Sequence, residues 1–466
     1  MSSKKKFSSE ALEQLRAKVT GSVVLPGDKS YDQQRTPWLE VVEQRPSAIV
    51  NAHTVQDIAQ AVRTARELDL PLGVQNTGHG IAAPCNEGIL LRLSEMKDIT
   101  VDAAAGTATV GPGVSSGELI AAAEPHGLAY PSGQVSNVGV IGYTLGGGYG
   151  WLGRKVGAAC DAVQSATVVL ADGSVVVASA DENPDLFWAI RGGGGNFGVV
   201  ASMTVKLTRM GKIFGGIAYY RLEDAPEVLR FYREWTAGLS DDTSTYLRLM
   251  QVPPQPAFLL HLHSLKTCAI GVCHANPATA EKLHEQIRAF KVPALDDLKL
   301  RPYSEMASID EASDTKGSPT FSHVECLQDL SDAVLDGMLN IAKTRFPPLL
   351  LVELQHLGGA LNHERGEAVA YTAPKASFYF KIVSPTMQAT LEELAPITME
   401  AVHSLGPVYT GEVTYNWLRG DQQNLVPAAF GVEKYKRLQE LKRRFDPTNL
   451  FRLNLNIPPN LNIPPN

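Results

Sequence analysis

Cysteine is scarce in this chain. The five residues, Cys85, Cys160, Cys268, Cys273 and Cys326, are an odd number without regular spacing, which argues against a disulfide framework and for a reducing, cytoplasmic setting. An excess of one charge is also missing. With 42 basic and 49 acidic residues the net charge is −7, too weak a bias to suggest binding to nucleic acid or an anionic membrane. Residues 127–153 carry no charge, yet they are rich in glycine and broken by Ser, Gln, Asn and Thr, so they do not read as a membrane span. The basic N-terminus runs into a helical pattern over 8–19 instead of an apolar leader core. The cluster His261, His263, Cys268, Cys273 and His274 matches no zinc spacing, and no metal is expected.

What is present is an ordinary globular composition at considerable length. The 466 residues, 44% of them apolar and 20% charged, predict two or three domains around a sizeable core. Glycine is unevenly spread, with 24 of 40 in residues 73–198, where backbone must turn sharply or approach a ligand.

Hydrophobic periodicity orders the chain. A strand over 48–52, a helix capped by Thr54 and carrying Ile58, Val62 and Ala65 on one face, and a strand over 72–75 form a β-α-β unit. Strands follow at 89–93, 99–101 and 107–110, and Asp172-Gly173 signals a hairpin between 167–170 and 174–177. Asn183 and Pro184 start a short helix, and 199–207 is a further strand. Beyond about residue 210 glycine thins out. Strands over 257–263, 349–357 and 377–383 then alternate with helices over 227–236, 278–290 and 330–344, an α+β pattern. A helix over 431–444 ends at Asp446-Pro447, and the last twelve residues are one hexapeptide written twice. The second copy, 461–466, reads as a disordered tail.

Three glycine motifs invite a nicotinamide interpretation that their context rejects. Gly148–Gly153 lacks a following helix, Gly193–Gly198 runs from helix to strand, and the looser Gly78–Ala83 leads into Pro84 and a loop. The dinucleotide fingerprint needs strand, glycine turn and helix in that order. Together the loops suit a dinucleotide lying along exposed backbone N–H groups; singly, each suits a crowded turn.

The segments Val74–Gly80, Pro131–Gly139, Leu145–Gly150 and Asn183–Gly198 resemble the FAD-binding domain of the vanillyl-alcohol-oxidase/p-cresol-methylhydroxylase superfamily, and Phe445–Pro458 resembles the C-terminal segment of its berberine-bridge-enzyme branch. The resemblance runs from 40 to 460. It implies an α+β architecture: an N-terminal helix and lead-in (1–39), a two-subdomain p-cresol-methylhydroxylase-type FAD-binding domain (40–210), an α/β substrate domain with an antiparallel sheet (211–409) and a C-terminal segment returning to FAD (410–460). It places FAD, joined by a single covalent bond, on His79, because Val135 stands where relatives with a second link carry cysteine. Cys85 and Cys160 read as buried structural thiols. The cofactor positions carried over are Asn76, Thr77, Gly78, His79, Gly80, Pro131, Ser132, Gly133, Val138, Gly139, Gly142, Gly147, Gly148, Gly150, Gly198, Val199, Val200, Tyr415, Asn416, Asn454 and Asn456. Val138 stands where relatives control access of oxygen, and its small side chain resembles the oxidases. Tyr415-Asn416 suits either the flavin face or a structural role.

Catalytic candidates follow from alternation as well as resemblance. Tyr149 matches a family tyrosine beside the flavin. A strand over 377–383 puts Tyr379 and Lys381 on one face, and one over 349–357 puts Glu353 with Gln355. A tyrosine needs a nearby cation to act as a base at neutral pH, which nominates Lys381 as that cation or as the base itself. The expectation is an FAD-dependent oxidase, monomeric or homodimeric, that takes hydride from an alcohol or amine carbon of a small molecule, a secondary metabolite or sugar-like compound. O2 is the acceptor and H2O2 the product. An oxidative cyclase or flavin-oxygenating enzyme, and a flavin-binding protein without turnover, remain the alternatives.

Overall fold

The computed structural model describes residues 9–39, 42–252, 254, 262–307, 309, 320–363, 368–385 and 390–460. Most of the strand expected over 257–263, His261 and the 461–466 tail lie outside the described residues.

Two sheets make the glycine-rich half. The first orders its strands Ser22–Val24, Ala48–Asn51, Ile89–Arg92, Leu72–Gln75; the last three are parallel. The crossover helix Val55–Glu67 starts in a capping box, with the Thr54 hydroxyl accepting from Asp57 N and the Asp57 carboxylate accepting from Thr54 N. Asp57 also accepts from the N–H and hydroxyl of Thr20, which ties the N-terminal helix Ser9–Lys18 to this layer. Burial alone would raise the Asp57 carboxyl, but hydrogen bonds from His53, Thr20 and Thr54 hold it below its ordinary range. The second sheet is antiparallel and runs Ile99–Asp102, Thr107–Val110, Val199–Lys206, Val163–Val169, Val175–Ser179. Gly173 takes φ +78° in the expected hairpin turn. Asn183 departs from expectation: it sits at φ +49°, and its amide donates to Val177 O instead of capping the helix Pro184–Ile190.

The other half is one large antiparallel sheet, ordered Leu295–Asp296, Ile213–Arg221, Lys266–His274, Thr243–Gln251, Leu351–His356, Phe378–Pro385, Thr320–Leu327. Helices Ala225–Ala237, Ala280–Phe290 and Asp332–Thr344 contribute Val228, Leu283 and Met338 to the core on one face, with Leu247, Leu354 and Phe380 from the strands. On the other face Tyr379, Cys326 and Leu357 pack with Ala158 and Cys160 of the glycine-rich half. Cys268 and Cys273 join different clusters of the sheet, and His274 is held between Thr243 and Thr279.

The Arg154 guanidinium is one of the contacts that join the halves. Arg154, 4% exposed, donates through Nε to Thr243 O at 2.8 Å, through Nη1 to Leu357 O and His356 Nε2, and through Nη2 to Leu239 O, Ser240 O and Asp241. It thereby satisfies carbonyls at the ends of two strands of the large sheet, a task suited to a rigid five-donor fork. Burial, and secondarily the Arg154 charge, hold the His356 imidazole at about 3, well below the usual histidine value.

The C-terminal helix Val432–Phe445 returns to the first half. Lys442 and Asp446 are both fully buried, 2.6 Å apart. The ammonium also donates to Asn196 O, and the carboxylate accepts from Leu450 N and Phe451 N. Breaking a buried pair by removing one partner typically costs about 3–5 kcal/mol. Lys442→Met is therefore expected to lower the unfolding free energy by that amount in a denaturant titration; an unchanged midpoint would refute the assignment. His356 adds an acid-sensitive element. Its folded value lies below its unfolded one, so only the unfolded chain gains a proton as pH falls from about 6.5 toward about 3, and stability drops by about 1.4 kcal/mol per unit in that window. His356→Gln is expected to flatten the loss of stability between about pH 6.5 and 5 relative to wild type, measured by thermal unfolding.

Candidate active site

The turn after Leu72–Gln75 presents His79. Gly78 takes φ +86°, and a Cβ there would lie 2.7–2.9 Å from Pro37 and Trp38, so only glycine lets the turn close against that segment. Trp38 N and Leu39 N donate to the carbonyls of Thr77 and Gly78. The half-buried imidazole stacks on Trp38 at 4.6 Å, with 14° between the rings, and its Nδ1 lies 2.9 Å from the Thr77 hydroxyl. These contacts set the plane of the ring. Trp38 had no motif to reveal it.

The remaining glycines divide into two kinds. A Cβ at Gly80 or Gly142 would meet nothing within 4 Å, so these two present bare backbone to open space. Others are glycine because protein crowds them. A Cβ would fall 2.5 Å from the Tyr371 ring at Gly147, 2.7 Å from Tyr143 at Gly148, 1.7 Å from Ser132 O at Gly150 and 2.5 Å from Val168 at Gly198. The joint assignment of all the loops to one ligand is thus corrected: part of the glycine excess serves close packing between loops and neighbouring side chains. Gly133 lies 3.5 Å, by the same construction, from Tyr143, whose hydroxyl donates to Pro131 O, while buried Ser132 contacts the Tyr303 hydroxyl. Val199 and Val200 are buried rungs opposite Val169 and Val168.

The distant segments expected at the cofactor meet these loops. The Asn416 amide bridges Gly146 O at 3.0 Å and Gly148 N at 2.7 Å. The Tyr415 hydroxyl donates to Leu455 O and accepts from Asn196, whose amide also binds Gly193 O, Leu455 O and Ile457 N. Asn454 donates to Gly195 O and Phe451 O. Val138 O accepts from Ser116, and Gly139 abuts the Asn76 amide.

Asn76 Nδ2, Asn454 Oδ1 and Asn456 Oδ1 are buried without a protein partner. Buried polar atoms normally have one. One donor and two acceptors are thereby left over on the segments that carry the motif, beside the bare backbone at Gly80 and Gly142. That combination fits a polar, extended cofactor such as FAD.

Opposite lies the polar face of the large sheet. Arg248, Glu353 and Lys381 are register partners across three strands, and Tyr246, Gln355 and Tyr379 form the next row. Arg248 Nε and Nη2 reach Glu353 Oε2 at 2.6 and 2.5 Å, and Gln355 Nε2 donates to Glu353 Oε1 at 2.6 Å and to Gln134 at 3.1 Å. Burial would push the Glu353 carboxyl up, but the charges of Arg248 and Lys381 and the hydrogen bonds from Gln355 and Arg248 outweigh it and hold the group ionised. The aromatic wall is continuous: Tyr149 meets Tyr379 edge-on at 5.6 Å, and Tyr379 meets Trp417 at 5.9 Å.

The Tyr149 hydroxyl donates to His356 O and that of Tyr379 to Thr414. Burial pushes both phenols well above their ordinary value. Lys381 lies over Trp417, 5.4 Å from the ring centroid, so its charge is directed at an indole and the carboxylate opposite. Both hydroxyls thus act as donors to protein acceptors.

Comparisons agree with this architecture. Residues 46–179 match an FAD binding domain and residues 415–458 the berberine and berberine-like segment. The chain is 29% identical to the (R)-6-hydroxynicotine oxidase of Paenarthrobacter nicotinovorans, over 95% of its own length and 97% of that protein's. It is 27% identical to an FAD-linked oxidoreductase of Dictyostelium discoideum over 95% of each. In three dimensions it superposes on 6-hydroxy-D-nicotine oxidase from Arthrobacter nicotinovorans with a TM-score of 0.83 at 26% identity, covering 95% of this chain and 98% of the other. The protein is an FAD-dependent oxidoreductase that unites an FAD binding domain, a large antiparallel sheet and a berberine-like C-terminal segment.

Proposed function

We propose that the protein is an oxidase, with FAD joined to it by one covalent bond through His79, that takes hydride from an alcohol or amine carbon of a small molecule and passes the electrons to O2. The observation that carries this reading is the contact of the glycine loops with the polar row of the large sheet, Gln134 with Gln355 and Tyr149 with His356 and Tyr379. FAD supplies the redox chemistry, accepting the hydride and reducing O2 to H2O2.

The chain's own residues supply position and proton handling. Trp38 and Thr77 orient His79, a neutral imidazole being a competent nucleophile. Asn76, Asn454 and Asn456 offer the unpartnered polar atoms that would hold the cofactor, and Val138 and Gly139 lie beside Asn76. Tyr149, Tyr379 and Trp417 wall the substrate space and exclude water. Within the polar row the Glu353 carboxylate is the group that can accept the proton released as hydride departs, with Lys381 beside it as the cation. All five cysteines are buried thiols, in keeping with the cytoplasmic location we propose. Among the described residues no helix is long and apolar enough to cross a membrane.

Two experiments test this. Acid precipitation of the holoprotein is expected to leave the yellow colour in the wild-type pellet and to release it from His79→Ala; colour in the wild-type supernatant would refute the covalent link. After anaerobic bleaching by an alcohol or amine substrate, air is expected to restore the flavin spectrum with one H2O2 per turnover. Recovery only with an artificial acceptor would make the enzyme a dehydrogenase.

A further inference from the structure

The polar row carries one more positive charge than it cancels. Arg248 is spent on Glu353, to which it is tied through two nitrogens. Lys381, register partner of Glu353 on the other side, makes no hydrogen bond or close ion pair among the described residues; its ammonium lies over the Trp417 ring. It is half-buried. Glu412, a carboxylate on the nearby 410–417 segment, is already engaged by Lys375 N and Ala376 N.

A second, independent feature lies one step along the sheet. Gln355 is 1% exposed. Its Nε2 is committed to Glu353 and Gln134, which fixes the orientation of the amide because a carboxylate accepts only from nitrogen. The carbonyl oxygen, Oε1, is buried and has no partner. An acceptor held in this way favours an incoming O–H or N–H, since burying it unpaired costs free energy. Lys381 and Gln355 are diagonal neighbours on one face of adjacent antiparallel strands, whose backbone positions lie about 7–8 Å apart, so one small substrate can engage both side chains.

We infer that the substrate is a carboxylate-bearing ring compound, its carboxylate bound by Lys381 and an O–H or N–H donated to Gln355 Oε1, with Glu353 acting as the positioning residue that orients the Gln355 amide. A carboxylate stays ionised at neutral pH, as the unneutralised ammonium requires. Tyr149, Tyr379 and Trp417, set edge-on to one another, offer ring faces and edges to an aromatic substrate. This inference rests on the proposed oxidoreductase site and names what that site selects.

The test is equilibrium titration of the holoenzyme with benzoate and with its neutral isostere benzamide, read from the flavin absorbance and, without reliance on flavin, from the thermal midpoint. Benzoate is expected to bind about tenfold tighter than benzamide, with the advantage shrinking as salt rises. The preference should vanish in Lys381→Met and persist in Lys381→Arg. 3-(Hydroxymethyl)benzoate should bind tighter than benzoate to wild type and no tighter to Gln355→Leu. Equal affinity for benzoate and benzamide, no binding of benzoate at millimolar concentration, or a preference that survives Lys381→Met would overturn the inference. Bleaching of the flavin by neutral alcohols or amines alongside any of those results would leave the oxidase reading intact.

Discussion

Lys442 and Asp446 form an ion pair from which water is wholly excluded, and both members are engaged beyond each other: the ammonium with Asn196 O, the carboxylate with the N–H groups of Leu450 and Phe451. Several of the contacts that bring the C-terminal segment to the glycine loops converge on this node. Asn196 is held by Lys442 through its backbone, and its side chain in turn fixes Gly193, Tyr415, Leu455 and Ile457. A buried pair of this kind contributes little as an isolated interaction once desolvation is counted. Its consequence is geometric, since neither charge has another place to go.

A second junction works the same way at the other side of the molecule. Arg154 leaves the glycine-rich half and is accepted by carbonyls near the ends of two strands of the large sheet. With these two junctions in place, Gln134 and Tyr149 of the glycine loops meet Gln355, His356 and Tyr379 of the large sheet. Several of the glycines are needed for that closeness, because the rings of Tyr371 and Tyr143 and the amide of Asn416 occupy the space of their absent side chains.

Much of the site was legible from residue order. The positive φ of Gly78 and Gly173, the capping box at Thr54 and the alternation that puts Glu353 with Gln355 and Tyr379 with Lys381 are local properties, expressed within a few residues of chain. The partner of the Tyr149 hydroxyl was not legible, because it meets a carbonyl 207 positions away. Likewise Arg248 in Thr243–Gln251 shows the same alternation as its neighbours, yet nothing in sequence pairs it with a glutamate 105 positions later. Trp38 has no motif at all and is found only by stacking on His79.

The sequence by itself determined the class of cofactor, the attachment residue expected for it and the faces on which the polar side chains lie, because glycine turns, caps and strand alternation act over short range. Only the tertiary structure decided how the charges balance. Which carboxylate neutralises which cation depends on strand register between segments about a hundred residues apart, and register is set by the whole packed sheet. That register sets Arg248 and Lys381 on either side of Glu353, with Arg248 tied to the carboxylate and Lys381 over the Trp417 ring.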